Sequence, residues 1–239
     1  EGAISLQVKD FILEIMDQGI KIGIASGRRL SDVRGIISRN GLKWGNPFPS
    51  FVISQERFIL TPEGKDFKGA EIWNYKRRKE TEKLISFILP RLPKWLINLS
   101  LQGLKPQHWV IESDNNLILQ YEDLEKAEKA REFIKKWVGK ISSILVRRRY
   151  IWVEVTLPLG KGAALNHLAN ILNFHSAEVL AIGDSANDLD MLNGRLGFSS
   201  AVVANAEPKV KEVVLKSGGY VASKTCGEGL VEIIKEFLG

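Results

Sequence analysis

Apolar residues recur along the chain with two distinct periods. Val8, Phe11, Ile12, Ile15 and Met16 lie on the i, i+3, i+4, i+7, i+8 stripe of a single helix face. Ser5 stands where a side chain can cap that helix, and Gly19 where the chain can leave it. The apolar run IKIGIA (20–25) then predicts a strand, and SGRRLSDVRGIISRNGL predicts a polar turn followed by a helix that Ser31 starts and Asn40-Gly41 ends. FVI (51–53) predicts a second strand, and RFILTPEGK (57–65) a hairpin turning at Pro62 to Gly64. The same alternation returns in the last third. GKGAALNHLANILNF (160–174) predicts a helix, EVLAIG (178–183) a buried strand and AVVA (201–204) another strand. EPKVKEVVLKSGG (207–219) follows as a helix with Pro208 in its first turn, then YVA (220–222) and the terminal helix GLVEIIKEFLG. Strands that alternate with helices imply an α/β fold with a parallel sheet covered on both faces.

The middle of the chain is patterned differently. A helix is predicted near 78–89, and alternating runs WLINLSL (95–101), HWVIES (108–113) and NLILQY (116–121) predict strands. A helix at 123–138 and SSILVRRRYIWVEVT (142–156), as one long strand or a hairpin, complete the segment. The expected organisation is a discontinuous core, residues 1–72 and 157–239, with an α+β unit inserted at 73–156. Five of the six Trp residues (73, 95, 109, 137 and 152) fall in the insertion, where they are expected to serve as apolar bulk.

Composition narrows the partners. With 34 Lys and Arg against 28 Asp and Glu, the +6 chain mildly favours anionic ligands. The basic runs YKRRK (75–79) and VRRRY (146–150) are expected to be solvated faces, and no recognised nucleic-acid motif accompanies them, so a nucleic-acid partner is not expected. The lone Cys226 allows no intramolecular disulfide, which suits a reducing compartment. No apolar run approaches membrane-spanning length. A cytoplasmic monomer or homodimer, away from membranes, is the expectation.

Candidate chemistry gathers where two strands end. In an open parallel sheet, ligands bind beyond the carboxyl ends of the strands. Ser26 follows IKIGIA, Asp184 follows EVLAIG, and Lys161 opens a helix whose N-terminus would face the same rim. A serine hydroxyl, the Gly27 amide and a lysine ammonium suit a phosphoryl group. The carboxylates of AIGDSANDLDML (181–192) would repel such a group unless a hard divalent cation, most plausibly Mg²⁺, sat between them. Asp190, two residues from Asp188 on a helix, is expected to face solvent.

IASGR (24–28), Lys161 in LGKG, and AIGDSANDLDML resemble, in order and separation, the second, third and fourth motifs of the haloacid dehalogenase-like hydrolases. The insertion between the second and third motifs resembles the cap of the type IIB branch, which includes Cof-type and sucrose-phosphatase-like members. The resemblance implies a Rossmann-like doubly wound core with an inserted α+β cap domain, and a Mg²⁺-dependent phosphatase acting on a small, sugar-like phosphate. It implies that Ser26 binds the transferring phosphoryl group, Lys161 neutralises charge, Asp184 binds Mg²⁺, Asp188 binds it or orients its waters, and Asn187 contacts phosphate or holds the loop. Asn205 would stand behind the site, while Arg28, Arg77, His108 and Arg149 are candidates for substrate choice.

Two departures qualify this. The family's first motif, an Asp-x-Asp ending the first strand and supplying the nucleophile and the acid/base, has no counterpart here; the only Asp-x-Asp is Asp188-Leu189-Asp190. EGAISLQ looks like the linker that follows that motif, so a strand and loop of roughly ten to twenty residues are expected ahead of Glu1. The alternatives are an inactive metal- and sugar-phosphate-binding relative and a phosphotransferase or mutase. The second departure is SQERF (54–58), where many Cof-type members carry Asn-Gly.

Overall fold

The computed structural model describes residues 4–45, 47–112, 116–139, 141, 143–158 and 160–239. In chain order the elements are α1 (Leu6–Asp17), β1 (Gly23–Ala25), α2 (Leu30–Arg39), β2 (Phe51–Ser54), β3 (Phe58–Leu60), α3 (Glu71–Ile88) and α4 (Leu92–Leu101). Then follow β4 (His108–Glu112), β5 (Asn116–Gln120), α5 (Leu124–Val138), β6 (Leu145–Arg149), β7 (Trp152–Thr156) and α6 (Lys161–Ile171). The chain closes with β8 (Leu180–Gly183), α7 (Leu189–Leu192), β9 (Ser199–Val202), α8 (Pro208–Lys216), β10 (Tyr220–Val221) and α9 (Cys226–Leu238). Two compact units result: Glu1–Asn74 with Leu159–Gly239, and Tyr75–Pro158.

The first unit holds two three-stranded sheets. In one, β1 pairs parallel with β2, and β2 pairs antiparallel with β3; in the other, β8, β9 and β10 are all parallel. Local chemistry sets the helix ends. Ser5 accepts the Val8 N–H at 3.4 Å at the start of α1. The start of α2 differs from expectation: Arg29 precedes it with no side-chain cap, while Ser31 bonds Asp32 inside the helix.

Among the described residues, β1 and β8 are each paired on one side only, and both line the same cavity of about 600 Å³. Ile12 and Ile15 of α1, Leu165 and Leu168 of α6, and Leu230 and Ile234 of α9 also line it. The result is an apolar slot bordered by two strand edges and three helices.

The second unit is one antiparallel sheet in the order β4-β5-β7-β6 with α4, α5 and the part of α3 from Tyr75 onward. Leu117, Leu119, Val153 and Val155 share one face of the sheet and pack in a core with Leu84, Trp95, Leu99 and Ile134. Two expectations are revised here, and one left open between two alternatives is decided. WLINLSL is not a strand but most of α4: Pro93 sits in its first turn, and Leu92, Trp95 and Leu99 bury one helical face at i, i+3, i+7. SSILVRRRYIWVEVT is a hairpin, β6 and β7, turning at Tyr150 with φ 52°; Ser142, like Ser113 of HWVIES, lies outside the described residues. Of the tryptophans, Trp95 is buried, whereas Trp109 and Trp152 are 44% and 49% exposed.

Candidate active site

β8 ends at Gly183, and Asp184 leaves it at the carboxyl end. The chain then makes a single 3-10 turn, Ala186–Asp188, and enters α7. Asp188 folds back on the strand exit: its Oδ2 accepts the backbone N–H groups of Asp184 and Ser185, each at 3.1 Å. Gly183 makes this approach possible, since a Cβ there would stand 2.6 Å from that of Asp188. The other oxygen, Oδ1, receives the Lys161 ammonium at 2.5 Å, with both side chains almost fully buried. A buried charge is tolerable only when paired and hydrogen-bonded, and Asp188 satisfies both conditions. Asp184 lies at the surface, yet partial desolvation and the neighbouring Asp188 carboxylate hold its pKa above the usual carboxylate range, with Lys161 pulling the other way.

A second wall comes from the exit of β1. The Ser26 N–H donates to the Ile53 carbonyl at 2.8 Å, and its Oγ accepts the Arg28 N–H at 3.1 Å. Opposite, the turn joining β2 to β3 passes through Gln55 and Glu56, both left-handed at φ 54° and 63°. Asn-Gly suits such a primed turn, and ordinary residues adopt it at a cost in strain. Backbone bonds hold it: Gln55 N–H to the Arg28 carbonyl at 3.0 Å and Glu56 N–H to the Ser26 carbonyl at 2.9 Å. The buried Glu56 side chain lies against Gly27, where a Cβ would come within 3.1 Å of Oε1, and that oxygen accepts a 3.4 Å bond from the Asn187 amide. Ser26, Gly27, Glu56 and Asn187 are thereby linked.

Two members of this group were not expected from the sequence. Glu56 lies in SQERF, where the departure from Asn-Gly was the available signal. Asp190 does not face solvent: its Oδ2 accepts the Gly162 N–H at 2.7 Å and burial pushes its carboxyl up. The helical i+2 rule failed because Asp188 belongs to the 3-10 turn Ala186–Asp188 and α7 begins only at Leu189, so Asp188 and Asp190 do not lie on one continuous helix. Asn205 accepts the Cys226 N–H at 3.0 Å and so fastens the start of α9.

In the second unit, cross-strand pairing puts His108, Gln120, Trp152 and Arg149 in one row, on the face opposite the core. Arg77 is on α3, where it pairs with Glu80 at 2.9 Å; Arg28 is an exposed residue of the first unit.

Among the described residues, no three His, Cys, Asp or Glu side chains converge as a metal-holding group. Asp184, with Asp188 behind it, still fits Mg²⁺, which takes one or two carboxylates and fills the rest of its octahedron with water and phosphate. No described helix is long and apolar enough to cross a membrane.

Comparison with known proteins agrees with the motifs. The chain is 40% identical over 94 residues to phosphoglycolate phosphatase of Methanosarcina mazei, a match covering 39% of this chain and 38% of that protein. It is 41% identical over 105 residues to that of Archaeoglobus fulgidus, covering 44% of each. The chain thus spans less than half the length of these curated relatives. HMP-PP phosphatase of Yersinia pseudotuberculosis is 24% identical over 241 residues, 88% of this chain and 80% of that one. The fold matches that of the sucrose-phosphatase from Synechocystis with a TM-score of 0.66 at 18% identity, covering 97% of this chain and 90% of the other. A model of the haloacid dehalogenase-like hydrolase family matches residues 103–234, more than half of the sequence, and the chain belongs to that family.

Proposed function

We propose that this protein is a Mg²⁺-dependent phosphatase acting on a small phosphate monoester through an aspartyl phosphate whose nucleophile lies ahead of Glu1. The observation that carries the reading is the joining of the buried Lys161–Asp188 ion pair, through the backbone N–H of Asp184, to a strand exit that presents the Asp184 carboxylate at the surface. Mg²⁺ bound at Asp184 would supply charge neutralisation for the phosphoryl oxygens. Asp188 fixes the Asp184 backbone and orients the Lys161 ammonium. Ser26 and the Gly27 amide offer donors to a phosphoryl oxygen, and Glu56 holds Asn187 against the Ser26 loop.

The slot between β1 and β8 supports placing the nucleophile upstream. A strand seated there would pair with an edge on each side and meet apolar helices above and below, the environment of a central parallel strand. The row His108, Gln120, Trp152 and Arg149 joins donors, an aromatic face and a cation, which suits a small hydroxylated phosphate. Relatives of this chain are named phosphoglycolate phosphatase and a structure of like fold is a sucrose-phosphatase, so phosphoglycolate and sucrose phosphate are the substrates to test.

The experiment extends the reading frame upstream of Glu1 and measures phosphate release with Mg²⁺ or with EDTA. The expected frame encodes an apolar strand ending in Asp-x-Asp, and the extended protein releases phosphate only with Mg²⁺. Asp184→Asn lowers the rate by at least about a hundredfold, and residues 1–239 alone release none. A frame without Asp-x-Asp, turnover by residues 1–239, or full activity in Asp184→Asn would overturn the proposal. If the extended protein binds phosphate with Mg²⁺ and does not turn over, it is a binding relative.

A further inference from the structure

The loop that carries Lys161 is held from an unexpected direction. Asp190 belongs to α7, yet its Oδ2 accepts the N–H of Gly162 at 2.7 Å, in the first turn of α6. That N–H has no carbonyl partner within its own helix, and Gly160, which precedes α6, has no side chain to cap it. Asp190 supplies the missing acceptor from another element. Both glycines flanking Lys161 are fitted to it. A Cβ on Gly160 would stand 2.1 Å from Asp190 Oδ2, and one on Gly162 would stand 2.6 Å from the Asp190 carbonyl oxygen. Gly162 lets the backbone of α7 come close to the first turn of α6, and Gly160 leaves the Asp190 carboxylate the room to reach it. Between them Lys161 extends 2.5 Å from Asp188, two residues before the anchoring Asp190. The two aspartates grip one turn of α6: Asp190 takes the backbone and Asp188 the ammonium.

We infer that Asp190 is a positioning residue that sets where the Lys161 ammonium stands, and that Gly160 and Gly162 are required by its approach. The inference goes beyond the hydrolase reading and rests on it only for the catalytic consequence.

The test is a set of double-mutant cycles on unfolding stability. The Lys161–Asp188 coupling is measured with Lys161→Met, Asp188→Asn and the double variant, first in the parent chain and then with Asp190→Ala. The coupling is expected to fall at least tenfold, as an equilibrium constant, in the Asp190→Ala background, and to return when position 190 is Asn, which keeps an acceptor for the Gly162 N–H. A purely structural role would lower stability and leave the coupling intact, and that result would overturn the inference. So would failure of Asn to restore the coupling. Where Asp190→Ala does not fold, Gly160→Ala displaces the same carboxylate and is read in the same way. In the active protein, Asp190→Ala should lower kcat at least tenfold with KM changed less than threefold. The coupling measurement needs no turnover, so absence of phosphate release in the parent protein sinks the hydrolase reading alone.

Discussion

Removing the Lys161 ammonium should expose how much of the first unit's stability rests on one ion pair. In Lys161→Met the stem is replaced by apolar bulk of similar length, and Asp188 keeps its charge in a site where its side chain is only 4% exposed. Breaking a buried pair from one side costs about 3–5 kcal/mol, because the remaining charge is uncompensated. Here Asp188 retains the N–H groups of Asp184 and Ser185, so the lower end, about 3 kcal/mol, is expected. That is a fall of roughly a hundredfold in the folding equilibrium. Asp188→Asn together with Lys161→Met removes both charges and should recover most of the loss, since replacing a whole buried pair is often near neutral. Urea unfolding followed by far-UV circular dichroism measures this, provided that the m-value stays constant. A cost below about 1 kcal/mol for Lys161→Met would refute the reasoning, because that is the range of an exposed pair. A double variant less stable than the single one would do the same.

Other outcomes follow from single sites. Glu232 accepts N–H groups from Ser223 and Lys224 and hydroxyls from Ser223 and Tyr220, which hold its pKa at about 2. Its folded pKa is depressed, so its contribution is present above the unfolded carboxylate range and is lost as pH falls toward 2. Glu232→Gln should therefore lower the melting temperature at pH 7, and the gap to the parent should close on acidification; a gap constant with pH would count against it. Tyr121 is fully buried with no hydrogen-bond partner for its hydroxyl among the described residues. Tyr121→Phe should raise stability by up to about 1 kcal/mol in a denaturant titration, and a clear loss would point to an unseen partner. Gly183→Ala places a methyl against the Asp188 side chain and should abolish Mg²⁺-dependent phosphate release by the protein extended upstream of Glu1, along with part of the stability, whereas a parent-like melt would show that the strand exit can move.

Much of the fold was legible because local signals agreed with tertiary burial. The stripe of α1 buries Val8, Ile12 and Ile15, and EVLAIG supplied all of β8. WLINLSL shows the limit: its apolar density fits either period, and only packing of Leu92, Trp95 and Leu99 decides for a helix. For the site, residues next to strand ends could be placed from sequence, since topology fixes where strand ends lie. Ser26 and Asp184 belong to this class. Glu56 and Asp190 do not. Glu56 reaches Asn187, 131 positions away, through a turn whose left-handed residues carry no glycine to announce it. Asp190 reaches Gly162 because a 3-10 turn rotates α7 away from the phase that a continuous helix would give.

The slot between β1 and β8 also bears on how the protein behaves in concentrated solution. Two facing strand edges over an apolar floor form a template, and any extended apolar segment can compete for it. A strand seated in the slot is at once part of the sheet and its protection against aggregation. Solubility is thus a property of whichever segment fills the slot, as much as of the charged surface around it.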